Sequence, residues 1–185
     1  MNITQYLREI VQELNSSVEL LPELEAEKLL DAILKSKKIL VAGAGRSGLM
    51  GKSFAMRMMH MGIDAYVVGE TVTANLEPGD LLIIGSGSGE TSTLIAIAEK
   101  AKKLGGVVAL ITTSSESTLG RIADLIVPLP GTPKDKTNSD YHSIQPMGSL
   151  FEQTMLLFYD SLILKVMEIN GLDSNKMYGK HANLE

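Results

Sequence analysis

The chain has 185 residues, and its 22 acidic and 17 basic side chains give a formal net charge of −5. The length suits one domain, and the acidic balance argues against a dedicated nucleic-acid binder, which needs a basic surface. The sequence holds no cysteine, which excludes disulfides, thiol nucleophiles and cysteine-ligated metal sites. The N-terminus has no basic stretch followed by an apolar core, so we expect no signal peptide, no membrane contact and a cytoplasmic protein.

Residues 1–36 are predicted to form an N-terminal helical hairpin. A period of about 3.6 residues in the apolar side chains predicts the first helix, and Pro22 suits the first turn of a second one. The side chains that carry the two periods are Ile3, Leu7, Ile10 and Leu14 in the first helix and Leu24, Leu29, Ile33 and Leu34 in the second.

Residues 37–128 repeat one pattern, in which a short apolar run is followed by a loop of small residues and a helix. The predicted strands are 38–42, 65–68, 80–84, 107–111 and 125–127, and the predicted helices are 50–61, 94–104 and 119–123. Continuous apolar strands that alternate with helices are typical of a parallel sheet covered on both faces. Right-handed crossovers then give an α/β fold, a three-layer αβα sandwich around a doubly wound parallel sheet.

The last third of the chain is predicted to hold a polar loop and an apolar helix. Residues 129–147 are polar and proline-rich, and a connection of this length is usually functional or disordered. A strongly apolar helix then extends to about Ile169, and a polar tail ends the chain. We predict one domain over residues 1–185, made of N-terminal helices (1–36), a βα core (37–128), the loop (129–147) and a C-terminal helix and tail (148–185).

The strongest functional signal is Ser86-Gly87-Ser88-Gly89-Glu90-Thr91, which lies between a predicted buried strand and a helix. Ligands of open α/β sheets bind at the carboxyl ends of the strands, where a helix N-terminus offers free amides and a positive dipole end. A serine-rich helix cap is the simpler interpretation, but a cap needs one hydroxyl and this loop has three. The loop therefore predicts a phosphate cradle that uses no lysine.

An earlier loop matches the dinucleotide-binding fingerprint. Gly43, Gly45 and Gly48 have the GxGxxG spacing between a strand and a helix, and Glu70 follows at a suitable distance. This pattern keeps a dinucleotide-binding oxidoreductase open as an alternative. Two observations count against an oxidoreductase. Little chain remains for a substrate domain, and the fingerprint leaves the second serine–glycine loop unexplained.

Together the two loops, 43–48 and 86–91, resemble those of SIS (sugar isomerase) domains, which bind phosphosugars. Within that group, three further segments resemble the 6-phospho-3-hexuloisomerase family, and the resemblance covers essentially the whole chain. The family's tail usually has arginine where this chain has Lys180, which keeps the charge but not the fork geometry of a guanidinium. The three segments are Met56-Arg57-Met58-Met59-His60-Met61-Gly62, Gln145-Pro146-Met147-Gly148-Ser149-Leu150-Phe151-Glu152-Gln153 and His181-Ala182-Asn183-Leu184-Glu185.

The resemblance implies interconversion of D-arabino-hex-3-ulose 6-phosphate and fructose 6-phosphate, a step of formaldehyde fixation by the ribulose monophosphate pathway. It implies no metal and no organic cofactor, and functional coupling to 3-hexulose-6-phosphate synthase. It also implies a homo-oligomer, expected to be a tetramer, with active sites near subunit boundaries. Two alternatives stay open, namely another SIS isomerase that acts on an aldose phosphate and a non-catalytic module that binds a sugar phosphate.

Moving a carbonyl group between adjacent carbons needs a base and stabilisation of an enediolate. We predict Glu152 as the base, although a glutamate in a first helical turn can also serve the helix dipole alone. His60 is predicted to polarise the carbonyl group or carry a proton, and His181 to reach the active site of a neighbouring subunit from the polar tail. A structural or solvent-exposed role is the alternative for each histidine, and His142 is expected to be a surface residue. The predicted substrate- and phosphate-binding residues are Arg46, Ser47, Ser86, Gly87, Ser88, Gly89, Glu90 and Thr91.

Overall fold

The structure, a computed structural model, describes residues 1–131 and 143–184. His142 therefore lies outside the described residues. Among the described residues, no helix has the length and apolar character that a membrane crossing requires. The elements in chain order are α1 (Ile3–Val18), α2 (Glu23–Lys35), β1 (Ile39–Gly43), α3 (Gly45–Met61), β2 (Ala65–Val67), β3 (Leu81–Gly85), α4 (Ser92–Lys103), β4 (Val107–Thr112), α5 (Thr118–Ile122), β5 (Leu125–Pro128), α6 (Ser149–Asn170) and α7 (Ser174–Tyr178).

The five strands form one parallel sheet in the order β2-β1-β3-β4-β5. In the register, Val41 of β1 lies beside Val67 of β2 on one side and Ile83 of β3 on the other. The chain runs from β1 outward to β2 and then returns to β3 on the other side, so the order reverses between β1 and β3. The predicted α/β class with a doubly wound parallel sheet is confirmed, and the reversal opens a crevice at the carboxyl ends of β1 and β3.

Helices cover both faces of this sheet, which explains why the strands are continuously apolar. Alternate strand residues such as Val41 and Ile83 pack against α2, α3 and α6. The intervening residues, such as Leu82 and Leu110, pack against α4 and α5. The result is the three-layer arrangement that the sequence predicts.

One helix boundary and one additional helix differ from the sequence prediction. Helix α3 begins at Gly45 rather than at Met50, because the small residues after β1 allow the chain to turn into a helix immediately. The polar tail, for which the sequence predicts no helix, contains the short helix α7. The Asp173 side chain caps this helix by accepting a hydrogen bond of 2.8 Å from the Lys176 amide.

Helix α6 crosses the core and brings its N-terminus to the crevice. Its buried Tyr159 stacks on Phe54 of α3, with ring centroids 4.2 Å apart and an interplanar angle of 4°. Met155 and Phe151 are buried on the same side of the helix. This packing fixes α6 against the sheet and leaves its first turn beside the ends of β1 and β3.

Candidate active site

A cavity of about 290 Å³ lies at the carboxyl ends of β1 and β3. It is bounded by the first turns of three helices, α3, α4 and α6, which all start there. This convergence follows from the topology, since α3 and α4 leave the two strands that flank the switch point. The lining residues are Ala44, Gly45, Ser47, Gly85, Ser86, Gly87, Ser88, Thr91, Leu94, Gly148, Phe151 and Glu152.

All three helices begin without a side-chain cap. No side-chain hydrogen bond caps α3 at Ala44, α4 at Thr91 or α6 at Gly148. Their first-turn amides consequently remain available to a ligand. Each helix dipole contributes about 0.3–1 kcal/mol toward holding a negative charge at such an end, so three converging ends favour an anion.

The serine loop after β3 presents hydroxyl donors to the cavity. The Ser86 hydroxyl oxygen accepts a hydrogen bond of 3.2 Å from the Gly89 amide, and that of Ser88 accepts one of 3.3 Å from the Glu90 amide. A hydroxyl that accepts from the backbone still has its own proton to donate. The carbonyl oxygen of Gly87 accepts hydrogen bonds from the Thr112 and Thr113 hydroxyls, and this ties the loop to the end of β4.

Three residues of the predicted phosphate-binding set do not line the cavity, namely Arg46 at its edge and Gly89 and Glu90, which fix the conformation of the serine loop. Gly89 has a φ of +65°, and a Cβ atom there would lie 1.9 Å from the Ser117 hydroxyl oxygen. The Glu90 carboxylate accepts a hydrogen bond of 2.7 Å from the Thr118 amide at the start of α5. That bond lowers the pKa of Glu90.

The Glu152 carboxylate lies in the first turn of α6 and is only 5% exposed. Its Oε2 atom is 3.3 Å from Nη1 of Arg46, and the same nitrogen donates a hydrogen bond of 2.9 Å to the Ser149 hydroxyl. Arg46 is about half exposed, so the guanidinium bridges α3 and α6 at the cavity mouth. The arrangement holds a buried carboxylate against the space that a ligand would fill.

The two described histidines lie far from this carboxylate in the same chain. His60 is near the C-terminus of α3, about 20 Å along the helix from Ser47 in the cavity wall. It is buried there, and its ring stacks on that of His181 with centroids 5.2 Å apart. Burial, followed by the positive charges of Arg57 and His181, lowers the pKa of His60.

Apart from Gly89 and Glu90, which shape the serine loop, the predicted site residues divide into two groups. The structure brings Ser47, Ser86, Gly87, Ser88, Thr91 and Glu152 around one cavity with Arg46 at its edge, and places His60 and His181 together at the other end of α3. Sequence reasoning missed Ser149 and Phe151. Their proximity to Glu152 in a helix start that lacks a capping side chain is the signal that could have identified them.

Within the described residues, no group of three or more His, Asp or Glu side chains is placed to hold a metal ion. The cavity instead offers hydroxyl groups, helix N-termini and one carboxylate. This set can bind a phosphate ester at one end and place a base beside the carbon chain at the other.

Comparison with known proteins places the chain in a family. The profile of the SIS domain matches residues 32–158. The chain is 59% identical over 185 residues to a 3-hexulose-6-phosphate isomerase of Bacillus subtilis (strain 168), and the alignment covers all of both chains. It is 40% identical over 158 residues to a 3-hexulose-6-phosphate isomerase of Methanocaldococcus jannaschii, which covers 85% of this chain and 83% of the relative.

A crystal structure gives the same result. A hypothetical protein from Methanococcus jannaschii has a fold that superposes on this chain with a TM-score of 0.82 and 35% sequence identity. From its crystal structure, a molecular function of 3-hexulose-6-phosphate isomerase was inferred for that protein. The match covers 98% of this chain and 99% of the other. The chain therefore belongs to the SIS domain family and, within it, to the 3-hexulose-6-phosphate isomerases.

Proposed function

We propose that the chain is an isomerase that interconverts D-arabino-hex-3-ulose 6-phosphate and fructose 6-phosphate, a step of the ribulose monophosphate pathway. One observation carries the chemistry, namely that a buried carboxylate shares a single cavity with three helix N-termini that have no side-chain cap. The full-length identity of 59% to a relative named for this activity supports the choice of substrate.

The phosphate group binds at the loop after β3. Ser86, Ser88 and Thr91 line that part of the cavity, where α4 begins with free amides. Ser47 faces the same space from the first turn of α3. Gly89 and Glu90 contribute indirectly, because they fix the conformation of the loop.

With the phosphate held there, Glu152 is the base that moves a proton between two carbons of the sugar. It removes the proton from C2 of the 3-ketose and returns it to C3, and an enediolate forms between the two steps. The 3-ketose has an open chain, because O5 would close a four-membered ring and O6 carries the phosphate. The forward reaction therefore needs no ring-opening group.

Arg46 stabilises the oxygen charge of the enediolate. Its guanidinium already lies 3.3 Å from Glu152 and extends from the first turn of α3, directly after β1. A guanidinium can hold a carboxylate and an anionic oxygen in one plane. The Ser149 hydroxyl orients it from the opposite helix.

Deuterium exchange separates this proposal from the alternatives. The protein is incubated with fructose 6-phosphate in deuterated water, and proton NMR follows each carbon-bound hydrogen. We expect deuterium to enter at C3, because the enediol spans C2 and C3. Label at C1 would instead identify an aldose–ketose isomerase, and no label a binding module. Either outcome would contradict the proposal.

We further propose that the chain assembles into a homotetramer in the cytoplasm, where it works in sequence with 3-hexulose-6-phosphate synthase. Large apolar side chains of α1 that the sequence places on a helical face are exposed in a single chain, including Ile3 (88%) and Leu7 (58%). Leu164 of α6 is also 65% exposed. Exposed apolar surface of this kind supports an oligomer in which further copies of the chain cover it.

In that assembly, His60 and His181 act at the site of a neighbouring subunit. Two observations support this role: the pair lies about 20 Å from the cavity of its own chain, and His181 belongs to a tail that stays exposed at the molecular surface. From a neighbouring subunit, the exposed imidazole of His181 can exchange protons with the sugar oxygens, and the buried His60 ring, which stacks on it, holds it in position.

Mixing of two inactive variants tests whether the site is shared. Glu152→Gln and His181→Ala are each expected to be nearly inactive. Subunit exchange between them then creates sites with both native residues, which restores about a quarter of the wild-type activity if the subunits pair at random. Exchange is monitored by native mass spectrometry, and two Glu152→Gln preparations serve as the control. If hybrid assemblies form but activity does not return, Glu152 and His181 act in the site of the same chain, and the shared-site proposal is wrong.

A further inference from the structure

Helix α1 lies outside residues 32–158, the part that the SIS profile matches, yet it contacts the segment that leads into α6. The contact is made by the Glu13 carboxylate. Its Oε1 atom accepts a hydrogen bond of 2.7 Å from the Ile144 amide. Its Oε2 atom accepts bonds of 2.7 Å from the Ser143 hydroxyl and 2.9 Å from the Gln145 side-chain amide.

Through these three hydrogen bonds, Glu13 ties residues 143–145 to α1, and we call this contact the anchor. Burial of the carboxylate raises its pKa, but the hydrogen bonds from Gln145, Ile144 and Ser143 together outweigh that effect and lower it. Glu13 is therefore an anion at neutral pH, and hydrogen bonds to an anion are roughly twice as strong as neutral ones. Among the described residues, no cation pairs with Glu13, so its charge is satisfied by these donors.

The anchored segment is also braced internally. The Gln145 amide donates a 3.0 Å hydrogen bond to the Ser143 hydroxyl, and Gln145 is buried. Two residues later, Met147 has a φ of +56°, a left-handed conformation that an L residue adopts only when its surroundings impose it. The segment is thus held in one particular path.

The segment leads directly into the first turn of α6, which carries the proposed base Glu152. The Ser149 amide bonds to the Pro146 carbonyl oxygen at 3.2 Å, and the Glu152 amide bonds to that of Gly148 at 3.0 Å. The chain from Gln145 to Glu152 therefore has little freedom to move independently. A shift at the anchor is passed to the first turn of α6, which carries both Ser149 and Glu152.

We propose that Glu13 is a positioning residue for the isomerase reaction, which holds residues 143–145 against α1 and thereby fixes where α6 starts and where the Glu152 carboxylate lies. This inference rests on the proposed function. The phosphate cradle is built on other elements, the loops after β1 and β3, so loss of the anchor affects proton transfer much more than substrate binding.

The test compares Glu13→Ala with Glu13→Gln and with Glu9→Ala, a control at an exposed position one turn earlier on α1. Glu13→Ala is expected to lower kcat about tenfold with the KM for fructose 6-phosphate unchanged within twofold, since small misplacement of a catalytic group is costly. Glu13→Gln keeps an acceptor oxygen and is expected to retain most of the activity. Calorimetry gives the number of binding sites, so that kcat is expressed per intact site.

Hydrogen exchange measures the anchor directly and does not depend on activity. In Glu13→Ala the amides of residues 144–152 are expected to exchange faster, while those of 86–91 keep their wild-type rates. Unchanged exchange at 144–152 would overturn the inference even if the wild-type protein proved not to be an isomerase. Two kinetic results would also overturn the inference. One is faster exchange at residues 144–152 in Glu13→Ala with kcat per site still within twofold of wild type. The other is a loss of Glu13→Ala activity that only matches the loss of binding sites.

Discussion

Glu152→Gln is expected to lower kcat for isomerisation roughly 10³-fold, within the range that a positioned general base supplies. Glutamine has nearly the same shape as glutamate, but its amide cannot accept a proton from a carbon atom. Binding of fructose 6-phosphate should persist, because the proposed phosphate site is the loop after β3 and the start of α4, which does not include Glu152.

Deuterium incorporation at C3 measures the chemical step, and isothermal calorimetry measures binding to the same preparation. Glu99→Gln, which changes an exposed glutamate on α4, serves as the matched control and should keep wild-type exchange. If Glu152→Gln still exchanged deuterium at the wild-type rate, another group would have to be the base.

Gly48→Ala is expected to have the largest effect on stability. A Cβ atom at position 48 would lie 2.6 Å from the carbonyl oxygen of Gly43 and 2.9 Å from its carbonyl carbon. Both contacts are with backbone at the end of β1, so no side-chain rotation relieves them. We expect the free energy of unfolding to fall by about 3 kcal/mol, the upper part of the usual range for overpacking.

For a chain of this length, such a loss lowers Tm by roughly 6–12 °C. Gly45→Ala is the matched control in the same loop, because a Cβ atom there meets nothing within 4 Å and only the φ of +57° opposes it, at about 1–2 kcal/mol. Calorimetry at equal protein concentration compares the two variants, since an oligomer's Tm depends on concentration. Equal or smaller destabilisation by Gly48→Ala would show that α3 moves away from β1 without cost.

The same contact explains the dinucleotide-like spacing of the first loop. Gly43 and Gly48 touch each other, because a Cβ atom on Gly43 would lie 2.8 Å from the Cα atom of Gly48. The spacing therefore serves close packing of a helix on the strand before it, which many α/β folds need whatever ligand they bind. This is why the motif by itself could not distinguish an oxidoreductase from a sugar phosphate isomerase.

Sequence alone was sufficient for the layered α/β fold and for the two loops that border the cavity. Each depends on short-range patterns: apolar runs that fit a doubly covered strand, and small residues between strand and helix. Parallel strands present their carboxyl ends at one edge of the sheet, so the sequence alone predicts that the loops after β1 and β3 lie at the same edge.

Only the tertiary structure decided which side chains face that cavity and which turn away. Glu90 belongs to the serine loop but contacts α5, His60 follows the first loop but lies at the far end of α3, and Glu13 is 130 or more positions from the residues it holds. Such contacts depend on how whole helices pack, and no local period or motif encodes them. The sequence thus determines the elements and the edge where a ligand binds, whereas packing between distant elements selects the residues that carry out the reaction.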